Sequence, residues 1–280
     1  MVSREKLGSE SPNLLDVFTQ INTMTSKQKV ALLQKKMQEN NIDAFIVYSA
    51  DPHMSEYLPK EWQERSWISG FTGSAGFVVF TKDKAGLWTD GRYFVQAAAE
   101  LKDSGIELMK MGEENTPDYI DWMISQLPNG GKVAVNAVAT SHSNWEDLHQ
   151  KLSRKNIELL DLPLLKEVWT NRNTDAQKNP VFVHPVERAG KSVVQKLMDI
   201  RHKMEELEAT VHVISSLDDV AWTLNLRGSD VQSNPVFLGY VLLTKNEAKL
   251  FVDLEKLDVD ARKQMEDSQV KMLPYEDFYT

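Results

Sequence analysis

Residues 69–76 read SGFTGSAG, with glycine at 70, 73 and 76, and a run so rich in glycine and hydroxyls is the first place to look for chemistry. This spacing satisfies neither the dinucleotide pattern G-x-G-x-x-G nor a phosphate loop ending in Gly-Lys-Ser/Thr, both of which need fixed offsets to aim backbone amides at a phosphate. Ser74 fails as a nucleophile elbow: that turn demands glycine two residues earlier, where this chain has Thr72, and the run leads into a strand. What is left is a structural turn in which backbones approach closely, with contact to a ligand as the alternative. The histidines, His53, His142, His149, His184, His202 and His212, form neither H-x-x-x-H nor H-E-x-x-H. His202 falls in a helical pattern and His212 in a strand, so surface or satisfied core positions are expected for both. His53, in SADPHMSEY, follows a strand, where α/β proteins gather ligand contacts. Asp218 and Asp219 are adjacent and diverge, while Asp90 and Asp253 occupy matching turn positions suited to Asx turns. A magnesium-binding acidic cluster of the nuclease kind finds no support in a chain of net charge −9 without a basic, aromatic-laced patch.

The elements that must position these residues begin with the chain's bulk properties. Its 280 residues suffice for about two domains at roughly 150 residues each, and 41% apolar with 26% charged residues fits a folded soluble protein. Lys and Arg number 32 against 41 Asp and Glu, so the surface repels phosphate backbones and anionic lipid, and neither nucleic acid nor a membrane is expected as a partner. The absence of cysteine excludes disulfides, thiolate zinc sites, iron–sulfur clusters and a cysteine nucleophile. The first residues carry Arg4, Glu5, Lys6, Glu10 and Asp16 and no long apolar run, so no signal peptide is read and a cytoplasmic protein is expected.

Thr25-x-x-Gln28 predicts a capping box opening a helix with Val30, Leu33 and Met37 on one face. AFIVY (44–48) reads as a strand, residues 77–80 and 87–89 as a hairpin around TKDKAG, and 91–101 as a helix. Thr116 and Pro117 suit the cap and first turn of a helix to Leu127, followed by a strand at 132–135, a helix at 143–152 and a strand at 157–160. Such alternation argues α/β. Pro163, Pro180, Pro185 and the run TNRNTDAQKNP mark a linker, after which a helix (191–206) and a strand (209–214) return. VVFTKDKAGLWTD from Val78 aligns with VLLTKNEAKLFVD from Val241 at a constant offset of 163, Lys36-Met37 matches Lys203-Met204, and Asp43-Ala44 is set against Glu208-Ala209. Two copies of one α/β unit are the expected explanation. The expected division is a tail at 1–24, a first domain at 25–162, a linker at 163–190 and a second domain at 191–280.

Two segments combine side chains seldom found in a plain core: WTDGRYF (88–94), and LDDVAWTLNLRGSDVQSNPVF (217–237), where Arg227 and Asp230 suggest an ion pair that fixes a loop or an interface. These runs, with DPHMSEY, RSWISGFTGSAGFVV, LMKMG and VWTNR, closely resemble the two non-catalytic N-terminal domains of three-domain, cytosolic-type Xaa-Pro aminopeptidases (aminopeptidase P), in family order over residues 28–280. The resemblance implies two tandem related domains of ribonuclease-H-like, creatinase N-terminal-like fold, with mixed sheets and flanking helices. Thr72 stands where relatives often carry Asp.

In that family a pita-bread catalytic domain follows, whose Asp, Asp, His, Glu and Glu ligands hold two manganese ions (or zinc or cobalt). Those ligands match nothing in this sequence, which ends at PYEDFYT where the family enters that domain, so no catalytic residue, metal ligand or cofactor is assigned to this chain. The resemblance implies a substrate-gating and assembly part of a metallo-aminopeptidase acting on peptides with proline in second position, inert by itself. Its partners would be its own C-terminal catalytic domain, proline-containing peptides and, for the full-length protein, a second copy. A stand-alone two-domain binding or scaffold protein is the alternative. Arg65 is the expected peptide-binding residue, followed by His53, with Glu56, Trp67 and Phe71 flanking the same loops. Residues 225–237 and 275–280 are expected to be exposed, as a surface for the catalytic domain.

Overall fold

The protein is described by a computed structural model covering residues 24–172 and 178–280; the expected tail and the middle of TNRNTDAQKNP lie outside the described residues. Helix α1 (Ser26–Glu39) starts at the expected capping box, Thr25 accepting from the Gln28 amide while the Gln28 side chain accepts from the Thr25 amide. Strand β1 (Ala44–Val47) is buried throughout, and a short helix α2 (Glu64–Ser69) precedes the glycine run. The predicted hairpin forms as β2 (Phe77–Thr81) and β3 (Ala85–Thr89), followed by α3 (Phe94–Glu100) and β4 (Glu107–Lys110). Helix α4 (Tyr119–Gln126) is capped by Asp118, not by Thr116: the Asp118 carboxylate accepts from the Ile120 amide, while Pro117 falls outside the helix. Strand β5 (Lys132–Val135), helix α5 (His142–Ser153), strand β6 (Glu158–Asp161) and helix α6 (Leu164–Val168) follow. The strands form one mixed sheet in the order β4-β3-β2-β1-β5-β6, with β1 and β5 parallel, β2 and β3 antiparallel and β3 and β4 parallel.

Past residue 178 come β7 (Phe182–Val183), α7 (Val186–Ala189), α8 (Val193–Glu206), β8 (Val211–Ile214), α9 (Leu217–Leu224) and β9 (Leu226–Arg227). Then follow β10 (Gly239–Thr244), β11 (Ala248–Val252), α10 (Val259–Asp267), β12 (Val270–Pro274) and a final 3₁₀ turn, Tyr275–Tyr279. A second mixed sheet runs β12-β11-β10-β8, and β7 pairs with β9. Its core gathers Leu197, Val220, Phe237, Val241 and Leu250. The residues expected as linker are structured in part, since α6 buries Leu164, Leu165 and Val168.

The chain divides into two compact units, one of residues to Ile46 with Arg65–Ala134 and Lys155–Arg172, the other of Val47–Glu64, Val135–Arg154 and Asn173–Thr280. The internal repeat appears element by element. Helices α1 and α8 both open on a capping box and are equally long, and β1 and β8 lie at the same later offset of 167 residues. The hairpin keeps the predicted offset of 163, Phe77 opposite Trp88 matching Tyr240 opposite Phe251. The expected match of Asp43-Ala44 to Glu208-Ala209 is corrected: Glu208 takes the place of Asn41, both with positive φ (54° and 56°), and β8 begins two residues later than the expected strand at 209.

Candidate functional site

In the first unit the glycine run is a locked turn organised by Arg65. Its guanidinium is buried, donates from Nη1 to the Phe71 carbonyl at 3.0 Å and from Nη2 to the Gly73 carbonyl, and lies 4.8 Å from the Phe71 ring centroid. Two donors of one rigid fork thus hold carbonyls two residues apart, which a lysine ammonium could not reproduce. Burial pushes the Arg65 pKa down to about 10, against the pull of Glu100 and Tyr93, so the side chain stays charged at neutral pH. Ser69 Oγ donates to the Arg65 carbonyl and accepts from the Phe71 amide. Thr72 donates its amide and hydroxyl to the two oxygens of Glu100, at 2.8 and 2.7 Å. Space around the turn is exhausted: a Cβ on Gly73 would lie 2.3 Å from the Phe71 ring, and one on Gly76 2.7 Å from the Trp88 carbonyl. Ser74 bonds the Tyr93 hydroxyl at 2.7 Å, so its partner is a phenol and not a general base. Trp67 stacks on Trp169 at 5.1 Å with Lys29 Nζ 4.7 Å from its ring.

His53 and Glu56 belong to the second unit, on the segment leaving β1. Asp51 Oδ1 accepts from the amides of His53 and Ser55, both at 2.9 Å, in an Asx turn that presents the imidazole. The ring is buried, stacked on Tyr240 at 4.3 Å, with Nδ1 2.8 Å from the Ser215 carbonyl and Nε2 2.8 Å from the Tyr275 hydroxyl. Tyr240 also takes Phe278 against its other contacts at 3.9 Å and meets the Tyr279 hydroxyl at 2.6 Å. Burial lowers the His53 pKa and raises those of Tyr240 and Tyr275, keeping the network neutral. Glu56, with Ser55, Tyr57, Asp218, Gln232 and Asn234, lines a separate open cleft of about 620 Å³.

Arg227 and Asp230 do not pair. Asp230 is buried against Lys256 and accepts the Leu238 amide, whereas Arg227 Nη1 donates to the Ala221 and Leu226 carbonyls, capping the C-terminal end of α9. Sequence reasoning missed Lys256, and also Lys196, which is buried with Nζ 2.7 Å from both the Trp222 carbonyl and Asn225 Oδ1 and 4.1 Å from the Trp222 ring. A cation on the apolar face shared by Val193 and Leu197 was the available signal. The expectation that residues 225–237 and 275–280 are exposed holds only in part: Asn225, Leu226, Asp230, Val231, Val236 and Phe237 are buried, while Ser229, Gln232, Ser233, Pro235, Glu276, Asp277, Tyr279 and Thr280 are exposed. Asp90 and Asp253 do cap turns, accepting from the amides of Arg92 and Glu255. Among the described residues no three histidine, aspartate or glutamate side chains gather so as to hold a metal ion. No described helix is long and apolar enough to cross a membrane.

Against known proteins, the creatinase/prolidase N-terminal domain matches at residues 29–167 and again at 172–280. The chain is 38% identical over 238 residues to Aminopeptidase P2 of Arabidopsis thaliana, covering 84% of this chain and 33% of that protein. It is 38% identical over 257 residues to a probable Xaa-Pro aminopeptidase P of Paracoccidioides brasiliensis (strain Pb18), covering 91% and 41%. The crystal structure of an X-prolyl aminopeptidase from Caenorhabditis elegans, described as a cytosolic enzyme with a di-nuclear active site, matches with a TM-score of 0.86 at 32% identity, over 91% of this chain and 43% of that one. The chain thus spans well under half the length of each relative.

Proposed function

This chain belongs to the creatinase/prolidase N-terminal domain family, and from that premise we propose that it is the non-catalytic front part of a metallo-aminopeptidase that releases the N-terminal residue from peptides with proline in second position. The observation that carries this reading is the likeness to the front part of the C. elegans enzyme across both copies of the repeat. The hydrolytic metals, two manganese ions or zinc or cobalt, belong in this reading to a catalytic domain supplied by polypeptide outside this chain, which is its first partner. Proline-containing peptides are the substrates, the full-length protein forms a homodimer, and the cytoplasm is its compartment. The domains run 25–162 and 191–280, joined by 163–190.

Arg65 and His53 enter as residues that shape peptide-facing loops. Both are buried and spend their polar atoms on backbone or tyrosine partners, which supports positioning over direct contact with a free peptide. Arg65 would hold the 70–76 turn rigid beside the peptide, so that the gating surface keeps its shape without the entropy cost of ordering it on binding.

The test compares this chain with the full-length product of its gene, using manganese and a tripeptide with proline in second position. The expected result is release of the first residue by the full-length product alone. Cleavage by the 280-residue chain, or a full-length product without manganese-dependent cleavage, overturns the reading.

A further inference from the structure

In a chain of net charge −9, the second unit holds a group of cationic side chains that its own carboxylates leave unpaired. Strand β7 pairs with β9 so that Phe182 lies opposite Arg227 and Val183 opposite Leu226, and the His184 amide extends the ladder by donating to the Asn225 carbonyl at 2.8 Å. Side chains alternate along such a ribbon, so Leu226 enters the core while Phe182, His184 and Arg227 share the outer face. Phe182 is 45% exposed. Trp222, next in sequence to the Ala221 carbonyl that Arg227 holds, is 49% exposed and has Lys196 Nζ 4.1 Å from its ring centroid.

Arg227 is fixed in one orientation. Both of its hydrogen bonds leave from Nη1, to the Ala221 and Leu226 carbonyls at 2.9 and 2.8 Å. A guanidinium is a rigid plane of five N–H donors, and Nε with Nη2 forms its side-on edge, which meets a carboxylate through two parallel bonds. Among the described residues that edge has no partner, and neither Arg227 nor the exposed Arg188 of α7 makes a salt bridge. Asp218 acts on Arg227 only through space. Lys191 is taken by Asp199 at 2.6 Å, and Lys196 by the Trp222 carbonyl and Asn225. His184 registers the imbalance: its pKa is held below 6.5 by desolvation first, then by the charges of Arg227, Arg188 and Lys196, with no carboxylate among the groups acting on it.

We propose that the outer face of β7 and β9 is a carboxylate-binding site, in which the side-on edge of Arg227 takes both oxygens of the ligand, Arg188 and His184 flank them, and Phe182 and Trp222 line the apolar body that carries the carboxyl group. Two observations select an organic acid over other anions. The unpaired donors of Arg227 lie in one plane along one edge, which fits a planar two-oxygen group. The exposed side chains beside it are aromatic, which fits an acid with an apolar body better than a bare inorganic ion. Because two carbonyls already hold the guanidinium, binding does not carry the cost of ordering a long side chain. The site lies within the second unit and needs no catalytic domain.

The probes are N-acetylphenylalanine, its amide, a tetrapeptide ending in phenylalanine, and inorganic phosphate, each titrated into the 280-residue chain and followed by calorimetry and by the Arg227 Nε–H resonance. The acid should bind saturably and move that resonance, and the amide should bind at least about 10-fold more weakly, because the charge-assisted pair of bonds is lost. The tetrapeptide should bind the same site; binding tighter than the acid assigns the carboxylate to a peptide end, and weaker binding assigns it to a free acid. Arg227→Lys keeps the charge without the edge and should weaken the acid about 10-fold. Since Arg227 also caps α9, Arg188→Glu gives a second reading: this exposed change should leave the melting temperature unaltered and weaken the acid about 3-fold or more. No saturable binding of the acid, equal binding of acid and amide, phosphate binding more tightly than the acid, or unchanged binding by the Arg188→Glu variant each overturns the proposal.

Discussion

The carbonyl oxygen of Ser215 lies 2.8 Å from Nδ1 of His53, and because a carbonyl only accepts, the contact fixes the imidazole tautomer. The proton sits on Nδ1, leaving Nε2 to accept from the Tyr275 hydroxyl.

This makes stability depend on pH in a defined direction. Burial lowers the His53 pKa from 6.5, so the unfolded chain binds a proton before the folded one, and stability falls as pH drops through 6.5 toward the folded value. His53→Phe should cost about 1–3 kcal/mol at pH 8, and the gap to the parent should narrow on acidification. Urea melts of both proteins between pH 8 and pH 5 measure it, and parallel curves would remove His53 from the account.

Arg65→Lys should destabilise the chain by about 1–3 kcal/mol despite conserving charge, because one ammonium cannot serve both carbonyls of the turn while lying on the Phe71 ring. Chemical denaturation reads the loss, and Arg65→Met should cost more. Equal, negligible effects would mean that the turn holds without the guanidinium.

Gly73→Ala should destabilise by at least about 2 kcal/mol, since the new methyl overlaps the rings of Phe71 and Tyr93. Gly131→Ala meets its nearest neighbour only at 3.0 Å and should be milder in the same thermal melt.

Lys256→Met should cost about 3–5 kcal/mol by leaving Asp230 charged and buried. Adding Asp230→Asn should recover part of that loss, read as a coupling energy in a double-mutant cycle. Strict additivity would show that the pair is not coupled.

Much of the fold can be read in the sequence because its signals are local. Capping boxes at Thr25 and Ser192 depend on residues three apart, and the hairpins around TKDKAG and TKNEAK depend on alternation over a dozen residues. The linear repeat and the resemblance come from the same short-range record. Helix ends are harder: Asp118 displaced Thr116 as a cap because its carboxylate reaches an amide inside the helix that Thr116 precedes by too far.

The sequence by itself determined the alternation of strands and helices, the duplication and the family. The tertiary structure alone decided what each charged side chain faces. Arg227 and Asp230 are three residues apart, yet one caps a helix and the other binds Lys256, because a buried charge takes the partner that packing delivers, regardless of sequence separation. His53 meets Tyr275 across 222 residues of chain, and matching alternate strand positions are buried in one repeat, as Ala44 and Ile46, and exposed in the other, as Val211 and Val213. Burial and partnership are set by the neighbours that the chain brings back from a distance, and no local spacing encodes which neighbour returns.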